Sequence, residues 1–222
     1  MAENVFLFIP NIIGYMRIVL ALAAFYFMRT NYILTAFCYL LSGFLDAFDG
    51  HAARHYNQST KFGAMLDQLT DRLALMCFCI GLSVLYPDYY FFFQLNCALD
   101  IASHWLHLHQ SNLSGRTSHK LIDLSGNPIL RIYYTSKPVL FIMCCGNEMF
   151  FGMLYLLYFA EGPKLLLDMG LYRLLMYISL PIMLLKALIS LIHLITASKN
   201  MVAIDMAERS KSNVDSAEEN LM

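Results

Sequence analysis

With 222 residues, 59% of them hydrophobic and only 14% charged, the chain has a membrane composition and no room for a large soluble domain. A formal net charge of −1 and the lack of a basic patch interleaved with aromatics exclude nucleic acid as a partner. The six cysteines all lie in apolar runs without zinc-ligand or CxxC spacing, which excludes a disulfide framework and reads as buried apolar side chains.

At about 20 residues per crossing, the length fits an all-α, polytopic membrane bundle of about six transmembrane helices. The first span covers residues 5–28, with Pro10 near its start and Arg17 within it. It has no basic leader or small-residue cleavage site, so a retained helix is expected rather than a signal peptide. Arg17 has two open readings, a side chain snorkelling to the interface or an anion contact. A second span, about 33–50, carries Asp46 and Asp49 in its last turn, and residues 51–62 continue the helix before a short bend. The third span, about 63–86, opens with Gly63, Asp67 and Asp71 and stops before Pro87.

The stretch from Asp46 to Asp71 holds the chemistry. Spacings of three and four place each acid pair on one helical face, so that two acidic ridges on neighbouring helices can oppose each other. An Asp at the centre of a membrane helix costs about 2.5–3.5 kcal/mol, so four of them unpaired would cost on the order of 10 kcal/mol. The cations nearest in sequence, Arg54, Lys61 and Arg72, are too few to compensate. Two divalent cations would balance four carboxylates, and oxygen-only ligation suits hard ions such as Mg²⁺ or Mn²⁺. The small Gly50, Ala53 and Gly63 leave room for a bulky anion beside Arg54, which together suggests metal-assisted chemistry on a diphosphate ester. His51 and His55 lie nearby, but the four acids already suffice as ligands.

An aromatic run at 89–93 marks an interfacial belt before a fourth span, about 90–110, with unusual polar content. Asp100, Ser103, His104 and His107 share one of its faces. They are either polar packing contacts inside the bundle or a hydrophilic wall for a polyol acceptor. Residues 111–137 form the longest polar loop, whose Arg116, Lys120, Arg131 and Lys137 are either solvated charges or contacts to phosphate and acceptor. The fifth and sixth spans fall at about 138–160 and 171–197, and Lys186 in the sixth is either structural or substrate-facing. The spans form one domain, 1–205, followed by a polar tail, 206–222. Counting Lys and Arg outside the spans gives nine on the side of the acidic stretch and three on the other, which places the acidic site and both termini in the cytosol.

The pattern D-x-x-D-G-x-x-A-R, eight residues, then G-x-x-x-D-x-x-x-D, running from Asp46 to Asp71, resembles the signature of the CDP-alcohol phosphatidyltransferases. Stretches such as FLFIPNIIGYMRIVLA, ASHWLHLH, SHKLIDLSGNP and RIYYTSKP extend the resemblance over most of the chain, nearest to eukaryotic members that use inositol. The resemblance implies a phosphatidyl transfer from CDP-diacylglycerol to myo-inositol with CMP released. It makes Asp46 and Asp67 bridging metal ligands, Asp49 and Asp71 the remaining ligands, and Asp71 also the general base. Gly50, Arg54 and Thr60 become nucleotide and phosphate contacts, with Asn11 and Arg17 near the nucleotide lipid. A homodimer in the endoplasmic reticulum membrane, among membrane lipids, is implied too. The signature alone leaves the acceptor alcohol open. An ion-coupled transporter is the competing class, but it predicts an inverted repeat, and residues 111–222 carry no second copy of the acidic pattern.

Overall fold

The computed structural model describes residues 4–117, 128–166 and 168–219. Among them are seven α-helices: α1 (Ile9–Phe27), α2 (Tyr32–His55), α3 (Lys61–Leu85), α4 (Tyr90–Thr117), α5 (Pro128–Thr135), α6 (Lys137–Phe159) and α7 (Leu171–Glu219). An antiparallel pair of short strands, β1 (Lys164–Leu166) and β2 (Met169–Gly170), joins α6 to α7. Five helices, α1, α2, α3, α6 and the Leu171–Ser210 part of α7, are long and apolar enough to cross a membrane. The remaining long helix, α4, has 28 residues, which is enough length, but carries the polar face anticipated above. The chain is an all-α membrane protein.

The contacts divide it into two units, residues 1–97 with 148–178 and residues 98–147 with 179–222. In the first, α1 packs on α2 and α3. The buried face of α1 is Pro10, Asn11, Gly14, Arg17, Ala21 and Ala24, a repeat of three and four made mostly of small residues. Small side chains let helix backbones approach closely where lipid supplies no hydrophobic drive. At Gly14 an added Cβ would sit 3.0 Å from Leu66 Cδ2, so the approach is already at contact. Hydroxyls on α2 then bond carbonyls on α1: Ser42 Oγ donates to the Arg17 carbonyl at 3.0 Å and Thr35 Oγ1 to that of Ala24 at 3.2 Å. Tyr39 stacks on Phe78, ring centroids 4.1 Å apart, while its hydroxyl donates to Glu148 at 2.7 Å. Outward-facing Phe37, Leu40, Phe44, Ile80 and Val84 are exposed, the expected lipid-facing surface of a spanning bundle.

The turn between α2 and α3 is set by local chemistry. Asn57 takes the left-handed conformation, φ 57°, that commonly stops a helix. Thr60 then caps α3, its hydroxyl accepting from the Gly63 amide at 3.0 Å.

The second unit has a small apolar core of Leu130, Tyr133 and Ile189. Its buried polar residues are Asp100, Ser103, Gln110, Asn147, Ser179, Lys186, Ser190 and His193. Of the long polar loop expected at 111–137, the residues up to Thr117 belong to α4 and Pro128–Thr135 form α5. Pro fits a first helical position since its missing N–H has no partner there in any case. Lys120 lies outside the described residues. Toward the C-terminus α7 continues through residues 205 and 206 without a break.

Candidate active site and metal centre

Helices α2 and α3 bring the four aspartates together. Asp46, Asp49 and Asp67 each offer a carboxylate oxygen, all within 4.8 Å of one another. Such a set of hard oxygen donors, drawn from two helices, fits a divalent cation of the Mg²⁺ or Mn²⁺ kind.

The cation that meets all four acids is none of the three neighbours in sequence, of which Arg72 reaches Asp71 alone. Arg17, on α1, inserts its guanidinium among all four acids and is only 2% exposed. Its Nη1 donates to Asp49 Oδ2 at 2.5 Å and to Asp67 Oδ1 at 2.7 Å. Nη2 lies 2.6 Å from Asp46 Oδ1 and also donates to Asp71 Oδ1. Packing of α1 brings Arg17 across a separation of 29 to 54 residues, which spacing within the acidic stretch could not foretell. The other Asp71 oxygen is 3.6 Å from Arg72. A cation held by these carboxylates is the arrangement the donor set favours, so the guanidinium stands where positive charge belongs.

Beside the acids opens a cavity of about 200 Å³. Asn11, Gly50, Ala53, Arg54, Thr60 and Gly63 all line it, and Asp49 and Asp67 form the wall next to the acid cluster. Gly63 is dictated by packing, since a Cβ there would lie 2.8 Å from Asn11 Oδ1. Gly50 is different: a Cβ would meet only Arg54, at 3.6 Å, so the protein itself leaves space there for a larger residue. The room at Gly50 belongs to the cavity. Arg17 does not line this space; it sits one turn further along α1 from Gly14, which does.

Gln58 and Ser59 also line the cavity and were not anticipated. Gln58 Oε1 accepts from the Ile9 amide at 2.9 Å and so fastens the start of α1 to the α2–α3 turn. The signal available was the polar run NQST between two apolar helices. His51 and His55, at the end of α2, are exposed and are not in the three-acid group.

The acceptor candidates belong to the second unit. Asp100 is buried on α4, with His104 Nδ1 2.8 Å from its carbonyl oxygen and 3.6 Å from its carboxylate. Ser103 Oγ donates to the same carbonyl at 3.0 Å. The His193 ring from α7 lies 4.4 Å from that of His107 and 5.8 Å from that of His104, centroid to centroid. Arg131 on α5 and Lys137 at the start of α6 are exposed.

Comparison with known proteins agrees with this geometry. A family model described as CDP-alcohol phosphatidyltransferase matches residues 7–123, which include all of α1, α2 and α3. The chain is 59% identical over 209 residues to the CDP-diacylglycerol–inositol 3-phosphatidyltransferase of Homo sapiens, covering 94% of this chain and 98% of that one. It is 51% identical over 207 residues to the protein of the same name from Drosophila melanogaster, covering 93% and 90% of the two chains. A probable CDP-diacylglycerol–inositol 3-phosphatidyltransferase of Arabidopsis thaliana is 35% identical over 215 residues, covering 94% and 95%. With the four acids of the signature converging from α2 and α3, and the match spanning both helices, the chain belongs to the CDP-alcohol phosphatidyltransferase family.

Proposed function

We propose that this membrane protein transfers the phosphatidyl group of CDP-diacylglycerol to a hydroxyl of myo-inositol, giving phosphatidylinositol and CMP. The observation that carries the reading is the meeting of Asp46, Asp49, Asp67 and Asp71 beside a cavity lined by Asn11, Gly50, Ala53, Arg54, Thr60 and Gly63. The names of the relatives supply the substrates.

The four aspartates would hold two divalent ions, Mg²⁺ or Mn²⁺, with Asp46 and Asp67 contributing to both. When bound, such a pair neutralises charge on the attacked phosphate and on the leaving phosphate. The protein's own residues do the rest. The space at Gly50, Ala53 and Gly63 admits the cytidine diphosphate portion, and Asn11 and Thr60 border it. Arg54, exposed at the cavity wall, offers a planar pair of donors to a diphosphate oxygen pair. Asp71 takes the proton of the attacking inositol hydroxyl as the new oxygen–phosphorus bond forms. The bond between the phosphatidyl phosphorus and the bridging oxygen breaks, and that oxygen leaves with CMP. Asp100, His104, Arg131 and Lys137 are the residues proposed to hold the acceptor.

The excess of Lys and Arg on the side of the acidic stretch, nine against three, favours a cytosolic site and termini, where inositol and CMP exchange with water. A homodimer in the endoplasmic reticulum membrane completes the proposal, on the family resemblance. Purified protein given CDP-diacylglycerol and a panel of labelled alcohols, with and without divalent ions, tests it. Labelled phosphatidylinositol and stoichiometric CMP should appear only with inositol and a divalent ion. Turnover with glycerol 3-phosphate or serine in place of inositol, or turnover in chelator, would overturn it.

A further inference from the structure

Arg17 is held more tightly than a substrate contact needs to be. Each terminal guanidinium nitrogen takes one acid from each helix: Nη1 joins Asp49 to Asp67, and Nη2 joins Asp46 to Asp71. One guanidinium thus meets four carboxylates, with Arg72 3.6 Å from the other Asp71 oxygen, while the third guanidinium nitrogen of Arg17, Nε, is buried with no hydrogen-bond partner. The carboxylates it pairs with include all three of the group suited to a metal.

We infer that Arg17 is a resident counter-cation: it closes the acid cluster when no metal is bound, and divalent ions enter by exchange with it. The inference rests on the reading that these acids hold divalent ions. At 2.5–2.7 Å from carboxylate oxygens, the guanidinium nitrogens fill space between the acids of the two helices, and an ion drawn to those oxygens must share it with them. An ion bound at about 2.1 Å to the same oxygens needs that space and is repelled by the charge already there. The exchange requires little of the backbone. The Arg17 carbonyl is pinned by Ser42 at 3.0 Å, so α1 stays in place and only the side chain moves. Helical side chains lean toward the N-terminus, and one turn in that direction is Gly14, on the cavity wall. Swung that way, the guanidinium would face the cavity proposed to receive an anionic diphosphate, a new partner for a strong phosphate donor. Before loading, Arg17 offsets part of the repulsion among four clustered acids; after loading, the ions do.

The alternative is a fixed clamp that holds the acids ready for metal, and the two ideas differ in sign. Removing a clamp weakens metal binding, whereas removing a competitor strengthens it. The test uses the full chain, purified and stripped of metal, with free Mn²⁺ followed by electron paramagnetic resonance. Arg17→Met should bind Mn²⁺ about 10- to 100-fold more tightly than the wild type, since a repelling charge a few ångströms from the ions is gone. The metal-free variant should also unfold at a lower temperature and gain more from added Mn²⁺ than the wild type does. Equal or weaker Mn²⁺ binding by Arg17→Met would overturn the inference. If that variant fails to fold, Arg17→Lys is measured in its place. An ammonium cannot bridge four carboxylates, so it too should bind Mn²⁺ more tightly than the wild type, and equal or weaker binding again overturns the exchange. Absence of Mn²⁺ binding by the folded wild type removes the metal reading itself, and the exchange with it.

Discussion

The two units of the molecule differ in how they gather charge. In the first, the buried polarity has an ionic centre: beside the neutral Asn11, Thr35, Ser42 and Thr70, the buried Arg17 guanidinium meets four carboxylates, that of Asp49 buried and the other three half-buried. In the second it is mostly neutral, made of Ser103, Gln110, Asn147, Ser179, Ser190 and His193, with Asp100 and Lys186 as its charged members. The difference marks where charge is concentrated. Neutral polar groups inside a membrane helix bundle serve well as hydrogen-bonding glue between helices. Four acids gathered at one point are an expense that packing does not require, and they persist where a cation is to be held.

If that contrast is right, damage to the first region should be catastrophic. Chelation of divalent ions should abolish turnover, and Mg²⁺ or Mn²⁺ should restore it. Asp67→Asn should lower turnover roughly 10³-fold, because it removes one charge from the three-acid group suited to a metal. Asp71→Asn should cost about 10²- to 10⁴-fold, the usual contribution of one positioned base, while CDP-diacylglycerol binding stays measurable. Retention of more than about a tenth of wild-type turnover by Asp71→Asn would remove Asp71 from the role of base.

Arg54 lines the cavity of the same region, and its proposed role is to hold substrate. Arg54→Lys keeps the charge and loses the planar donor pair, so the KM for CDP-diacylglycerol should rise about tenfold with a smaller effect on kcat. An unchanged KM would place the diphosphate elsewhere in the cavity.

The acid site was legible in the amino-acid sequence because helical spacing is a local property. Asp46 with Asp49, and Asp67 with Asp71, share faces whatever the rest of the chain does, and the cost of buried charge demands that the faces meet something positive. The identity of that positive group within the protein was not legible. Arg17 lies 29 residues before the first acid and reaches it only because Gly14, Ala21 and Ala24 let α1 pack closely on its neighbours. Gln58 was missed for a related reason, since its partner is the Ile9 amide, 49 residues away. The polar face of α4 was visible by its periodicity, but His193, whose ring lies 4.4 Å from that of His107, comes from α7 and carries no local sign of that pairing. Local pattern gives faces; tertiary packing chooses which faces meet.

A packing substitution at the cavity should have a middling effect. In Gly63→Ala the new Cβ falls 2.8 Å from Asn11 Oδ1 and 3.2 Å from Thr60 Oγ1. Asn11 is 1% exposed and its Nδ2 donates to the Val5 carbonyl at 2.6 Å, so it cannot simply swing aside. Overpacking of this kind costs about 1–3 kcal/mol. Thermal unfolding of the purified variant should shift down by several degrees, and the KM for CDP-diacylglycerol should rise as the cavity wall moves. An unaltered melting temperature would show that the α1–α3 contact is looser than the geometry implies.

The smallest effect is expected in the second region, and it probes the contrast most directly. Asp100→Asn keeps the shape of the side chain and removes its charge beside His104, whose Nδ1 is 3.6 Å from the carboxylate. If Asp100 only packs, the change is nearly silent, because a neutral amide can still hydrogen-bond in a neutral polar interior. If it holds the acceptor, the KM for inositol should rise about three- to tenfold, the loss of one charge-assisted hydrogen bond, while the KM for CDP-diacylglycerol and the affinity for Mn²⁺ stay as they were. A change in Mn²⁺ affinity would break the contrast: it would mean that this carboxylate belongs with the other four, and that the division between an ionic region and a neutral one does not describe how the enzyme binds its metals.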